Sequence, residues 1–197
     1  MPRPTTMGGW LTPDADAAWR AANAEALELQ HPWLGTEHLL LGLLRGAADD
    51  PAVRILTAAG VTWDRAREAL VRDLGAARPD EAALLATLGI DLAEVRARVE
   101  ASFGPNAIAE LYARRRSDNR RRLGRGPLCG LAMMPRAKLA LERARRAAKT
   151  EYRSQVSSTD LLVGLLDVDD GMAVRLLRTL GVDTHTLRAG LSRRAAG

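Results

Sequence analysis

Apolar positions along this chain recur at spacings of three and four rather than in alternation, and that period predicts helices nearly throughout. In "LTPDADAAWRAANAEA", from Leu11, the alanines at 15, 18, 22 and 26 share one helical face. Thr12, Pro13 and Asp14 open that helix with a capping oxygen, a proline where no N–H is needed, and an acid suited to the helix dipole. His31-Pro32 stops it. "GTEHLLLGLL", from Gly35, predicts a short second helix capped by Thr36 and apolar nearly all round after its first turn. Such a helix belongs at the centre of a bundle, with Gly42 letting another backbone come close. "AVRILTAAGV", from Ala52, predicts a third helix closed by a left-handed Gly60, with a fourth just beyond.

The same succession then returns. Pro135 lies over Pro13, and Ala137, Ala140, Ala144 and Ala148 lie over the four alanines. "VSSTDLLVGLL" lies over "LGTEHLLLGLL", which pairs Gly164 with Gly42 and makes Ser158 the second cap. After a loop one residue shorter, "AVRLLRTLGV" closes on Gly181. A duplicated four-helix unit follows, with a tail at 1–10, repeat one at 11–75, an insert at 76–130 and repeat two at 131–193. The insert itself splits. Leu84, Leu85, Leu88, Leu92, Val95 and Val99 predict two short helices closed by Gly104-Pro105. Beyond them Arg114, Arg115, Arg116, Arg120, Arg121, Arg122 and Arg125 form a basic arm too charged to fold on itself. It reads either as a solvated linker or as a docking arm for an acidic protein surface or RNA, for which Tyr112 is the one nearby stacking residue.

Composition agrees with an all-α fold: 47% of residues are hydrophobic but only 4% aromatic, and Ala and Leu dominate. No long uncharged apolar stretch predicts a membrane span and "MPRPTTMGGW" lacks the apolar core of a signal peptide, so a cytoplasmic protein is expected. The lone Cys129 has no disulfide partner. Net charge is +5, carried by arginine far more than by lysine, which permits a nucleic-acid partner without requiring one.

Candidate chemistry is sparse. His31, His38 and His185 sit in no hydrolase or metalloprotease motif, and Asp49-Asp50 and Asp169-Asp170 read as loop and cap residues without the alternating ligands of a calcium loop. Neither an enzyme, a metal nor a cofactor is expected. What stands out is Glu37 and His38, polar residues where a buried helix must emerge at a rim. Glu37 serves there either as a dipole-stabilising acid or as a ligand for a cationic guest, and His38 as a structural or a contacting residue.

"GTEHLLLGLL", the alanine-spaced helix before it and "AVRILTAAGV" after it resemble the Clp N-terminal repeat domain, the helical module at the front of Clp unfoldases. The resemblance implies two pseudo-twofold-related four-helix repeats packed as one body, with the insert between them. It also implies a non-catalytic binding module of the Clp proteolysis system, whose partners are Clp unfoldase or protease subunits or their substrates. In some family members the ligand is phosphorylated arginine. Carried over, Glu37 would pair with the guanidinium, while Thr36 heads the helix whose amides would receive the phosphate and His38 stands beside them. Repeat two departs, with Thr159-Asp160 in place of Glu-His. The family's apolar groove, which takes peptides and small cyclic-peptide ligands, would be lined here by Leu11 and Met133 instead of Phe. No G-x-x-x-x-G-K-[ST] loop occurs in the sequence. The expectation is therefore a free-standing N-domain that binds as adaptor or decoy for an unfoldase, with a nucleic-acid-associated or scaffold protein acting through the Arg-rich arm as the lesser alternative.

Overall fold

A computed structural model describes residues 9–73, 91–104, 110 and 131–195. Among them are nine helices: α1 Pro13–Glu28, α2 Thr36–Leu44, α3 Pro51–Ala58, α4 over 63–73, α5 Leu92–Phe103, α6 Pro135–Thr150, α7 Ser158–Leu166, α8 Met172–Thr179 and α9 Thr184–Ala195. The first four and the last four are the two expected units, and α5 is the second of the two helices expected in the insert. Its first helix, the Arg114–Arg125 arm and Cys129 lie outside the described residues. No helix among the described residues is long and apolar enough to cross a membrane.

Local signals act as the pattern requires. The Thr12 hydroxyl accepts from Ala15 N–H, and Asp50 caps α3 by accepting from Ala52 and Val53 N–H at 2.8 and 3.3 Å. Gly60 and Gly181 take φ of 76° and 83°, closing the third helix of each unit in the left-handed region. The alanine faces of α1 and α6 are buried, and they let α2 and α7 approach to backbone contact. A Cβ on Gly42 would lie 2.6 Å from Ala22 N and against Ala18 O; one on Gly164 would lie 2.8 Å from Ala144 N and against Ala140 O. Leu40, Leu41, Leu162 and Leu165 are buried at the centre, each stabilising the body by roughly 1.5–3 kcal/mol through transfer from water.

The capping expectation for the central helices is off by one residue. Gly35 and Ser157 are the N-caps, and Thr36 and Ser158 are already the first helical residues. Freed from capping its own helix, the Thr36 hydroxyl accepts from Ala173 N–H at 3.1 Å and so caps α8 of the other repeat.

The two units are joined by an exchange of short strands. β1 (Trp33–Leu34), just ahead of α2, runs parallel to β2 (Ala132–Met133), just ahead of α6, with Met134 N–H donating to Leu34 O at 2.9 Å. The mirror arrangement pairs Leu11, ahead of α1, with Val156, ahead of α7, through Thr12 N–H to Val156 O and Val156 N–H to Trp10 O at 2.9 and 2.8 Å. Each unit's entry segment thus completes the other's, and α2 and α7 pack against each other across the pseudo-dyad. The exchange takes up Leu11, a core residue at 6% exposure that lines no open groove, whereas Met133 is packed against the same core but stays partly exposed.

One polar cluster sits within repeat one. Glu25 is buried in α1 and accepts from Arg45 Nε and Trp63 Nε1, both at 2.8 Å, with Arg45 stacked 4.1 Å from the Trp63 ring centroid. A buried carboxylate needs such partners, and these tie the start of α4 to α1.

Candidate binding site

The mouth of α2 is built by its first turn and the turn that ends α1. Gln30 adopts φ of 57°, which brings His31 back toward the helix start. Gly35 N–H donates to His38 Nδ1 at 2.9 Å, so the neutral ring carries its proton on Nε2, and that N–H donates to His31 Nδ1 at 2.7 Å. His38 is wholly buried, and both its nitrogens are committed in the uncharged form. Burial, and then the neighbouring His31, push its pKa down to about 3; burial also lowers His31.

Glu37 lies beside this pair. Its side chain is 13% exposed and has folded back over Gly35, where a Cβ would collide with both carboxylate oxygens. Oε1 stands 3.3 Å from His38 Nδ1, the lone-pair nitrogen, and no Lys or Arg among the described residues forms an ion pair with it. Burial raises its pKa, opposed by the carboxylate's contact with its own backbone N–H. Glu37 is thus a partly desolvated acid at a surface, with no cationic partner among the described residues.

The pseudo-equivalent mouth of α7 is filled. Tyr152 repeats the left-handed turn at φ 56°, Arg153 stands where repeat one has His31, and Asp160 where it has His38. Arg153 grips Asp160 with two hydrogen bonds of 2.5 and 2.6 Å and reaches Glu151 as well. Asp160 also accepts from Ser157 N–H at 2.7 Å, the counterpart of the Gly35 to His38 bond. Burial pushes the Asp160 carboxyl up, but Arg153 and the Ser157 cap together outweigh it and hold it below the usual range. The hydrogen bond from Arg153 to Asp160 raises the guanidinium's pKa in turn.

Repeat one therefore closes the turn with a neutral imidazole pair and leaves Glu37 without an ion pair to any described Lys or Arg; repeat two closes it with an ion pair of its own. Thr159 and Asp160 do not form a second open site. Thr36 does not reach the rim either, because its hydroxyl is spent on Ala173. His38 supports the mouth from within rather than facing a guest. Sequence reading missed His31 and Arg153, although the repeat alignment carried the signal: His31 with His38 in one copy answers Arg153 with Asp160 in the other.

His31, Glu37 and His38 are also the one group among the described residues whose donor atoms lie close enough to hold a metal ion, within 4.8 Å of one another. A metal on His38 Nε2 would move the ring proton to Nδ1, where it would meet the Gly35 N–H donor head on. The donor set fits a hydrogen-bonded pair better than an ion. Away from the mouth, α3 and α9 flank a groove of about 790 Å³ lined by Val53, Ala58, Val182, Leu187 and Leu191.

This fold matches known proteins. The model of the Clp repeat N-terminal domain family matches residues 10–82 and 132–196, more than half of the chain. The chain belongs to that family. It is 25% identical over 182 residues to the chaperone protein ClpB of Oceanobacillus iheyensis, covering 92% of this chain and 17% of that protein. It is 27% identical over 169 residues to a probable ATP-dependent Clp protease ATP-binding subunit of Chlamydia pneumoniae, covering 86% of this chain and 15% of that one. The chain thus spans less than a fifth of these curated relatives. In fold it is similar to the N-terminal domain of the chaperone ClpD from Arabidopsis thaliana, at a TM-score of 0.56 and 24% identity, covering 94% of this chain and 96% of that one.

Proposed function

We propose that this protein is a binding module of the Clp system that captures cationic segments, phosphoarginine-bearing ones included, at the α2 mouth and delivers them to, or withholds them from, a Clp unfoldase. The observation that carries this reading is the Glu37 carboxylate, which pairs with no Lys or Arg among the described residues, beside a second mouth in which Arg153 holds Asp160, at the place of His38, bidentately. Repeat two illustrates within the chain that a guanidinium can be held at such a turn; in repeat one His31 and His38 take the places of Arg153 and Asp160, and Glu37, one residue before His38, is the acid offered to a guest. The carboxylate would swing out from over Gly35 to pair with the guest, and the swing would free the Glu37 N–H at the helix N-terminus for a phosphate oxygen.

Titration calorimetry with free phosphoarginine tests the reading on the wild type and on Glu37→Gln, with arginine alone as the comparison. Binding by the wild type that drops about tenfold or more in the variant supports it, as expected when one partner of a charge-assisted pair is neutralised. Equal binding by both proteins, or none by the wild type, removes it.

A further inference from the structure

The two repeats share one backbone plan, so a feature present on α6 and missing from α1 is not required by the fold. α6 carries Lys138, Arg143, Arg145, Arg146 and Lys149, and among the described residues none of the five forms an ion pair; Arg54, Arg65 and Arg175 share that state, one each on α3, α4 and α8, while Arg20, Arg45, Arg67, Arg72, Arg98, Arg136, Arg153, Arg178 and Arg188 pair with acids. Repeat one holds Asp16, Ala21, Asn23, Ala24 and Leu27 at the same places. Lys138, Arg145, Arg146 and Lys149 are exposed and fall within about 100° of arc at helical spacing. Three exposed large apolar residues accompany them: Met134 at the head of the helix at 40% exposure, Leu139 within it at 38%, and Tyr152 just past its end at 98%. Their counterparts in repeat one are Thr12, Ala17 and Gln30. Tyr152 adopts left-handed backbone, which favours Gly or Asn, and still presents almost its whole ring to solvent.

From this asymmetry we infer that the outer face of α6 is a second docking surface, distinct from the α2 mouth, and that its partner is an acidic protein segment carrying apolar side chains. Unpaired cations supply the attraction and the register; Met, Tyr and Arg are the residue types that supply anchors at protein interfaces. A nucleic-acid duplex fits less well. Glu142 stands inside the basic arc and would face phosphate, and the apolar side chains would have no base to meet. With this surface the module becomes bivalent: cargo at repeat one, a partner at repeat two.

The test uses the full chain and fluorescence anisotropy. The probes are a fluorescein-labelled amphipathic Glu-Leu peptide, the same peptide with Ser for Leu, and a labelled DNA duplex. The Glu-Leu peptide should bind about tenfold or more tightly than the Glu-Ser peptide. Joint Arg145→Glu and Lys149→Glu should weaken it by a similar factor, and Tyr152→Asn, which suits the left-handed backbone, should weaken it several-fold while leaving the helical circular dichroism unchanged. Glu37→Gln should leave it unaltered, which separates this surface from the α2 mouth. Equal binding of the two peptides, indifference to the α6 and Tyr152 variants, or tighter binding of the duplex would each overturn the assignment.

Discussion

Exchanging the histidine pair of repeat one for the ion pair of repeat two, by His31→Arg with His38→Asp, should leave the protein folded and remove most of its acid sensitivity near neutrality. His38 has a folded pKa of about 3 against 6.5 when free. Between those values the unfolded chain binds a proton that the folded chain refuses, so stability is fully present above pH 6.5 and is lost as pH falls through this window. At about 1.4 kcal/mol per pH unit, His38 alone removes about 2 kcal/mol by about pH 5. The lowered His31 adds to the loss, whereas the raised Glu37 carboxyl opposes it. In the exchanged protein the new Asp, like Asp160, would stay ionised well below that range. Urea unfolding followed by tryptophan fluorescence at about pH 7.5 and about pH 5 reads the difference. The wild-type midpoint should fall by roughly 1 M and the exchanged protein's by much less. An equal fall in both proteins would show that the imidazole pair is not the source, and an exchanged protein unfolded at neutral pH would show that the two mouths are not equivalent.

Other outcomes follow from single contacts. Gly42→Ala should lower stability by about 1–3 kcal/mol in the same assay, because its methyl meets Ala22 N and Ala18 O rather than a side chain that can yield. Thr36→Val should lower it by about 1 kcal/mol by leaving Ala173 N–H uncapped, although the two residues belong to different repeats. Gly35→Ala should be nearly neutral for stability, since its φ of −102° suits any residue and only the flexible Glu37 carboxylate must move. The same change should lower the Glu37 pKa measured by carbon-detected NMR, as the displaced carboxylate regains water.

The helical architecture was legible because duplication printed its pattern twice: the alanine faces, Gly42 with Gly164, and Gly60 with Gly181 each recur at matching places. The strand exchange was not legible. Two-residue strands leave no period, and Leu11 and Met133 are apolar whether they line a groove or pair across repeats. Thr36 was misassigned because a capping residue and a first-turn residue share the same local sequence, and the difference lies in Ala173, 137 residues further on. Glu37 at a rim could be read from the polarity of one helical turn. Its lack of an ion pair among the described residues could not, since that depends on which residue the left-handed turn at Gln30 returns to the helix start.

The central claim is that one mouth accepts a guest and the other is already filled. Nitrogen-15 amide spectra recorded during titration with a phosphoarginine peptide test it most directly. The account predicts saturable shifts at Gly35, Thr36, Glu37 and His31, quiet amides at Ser157, Asp160 and Arg153, and loss of the response in Glu37→Gln. Shifts of equal size at both mouths, or a response unchanged in that variant, would contradict it.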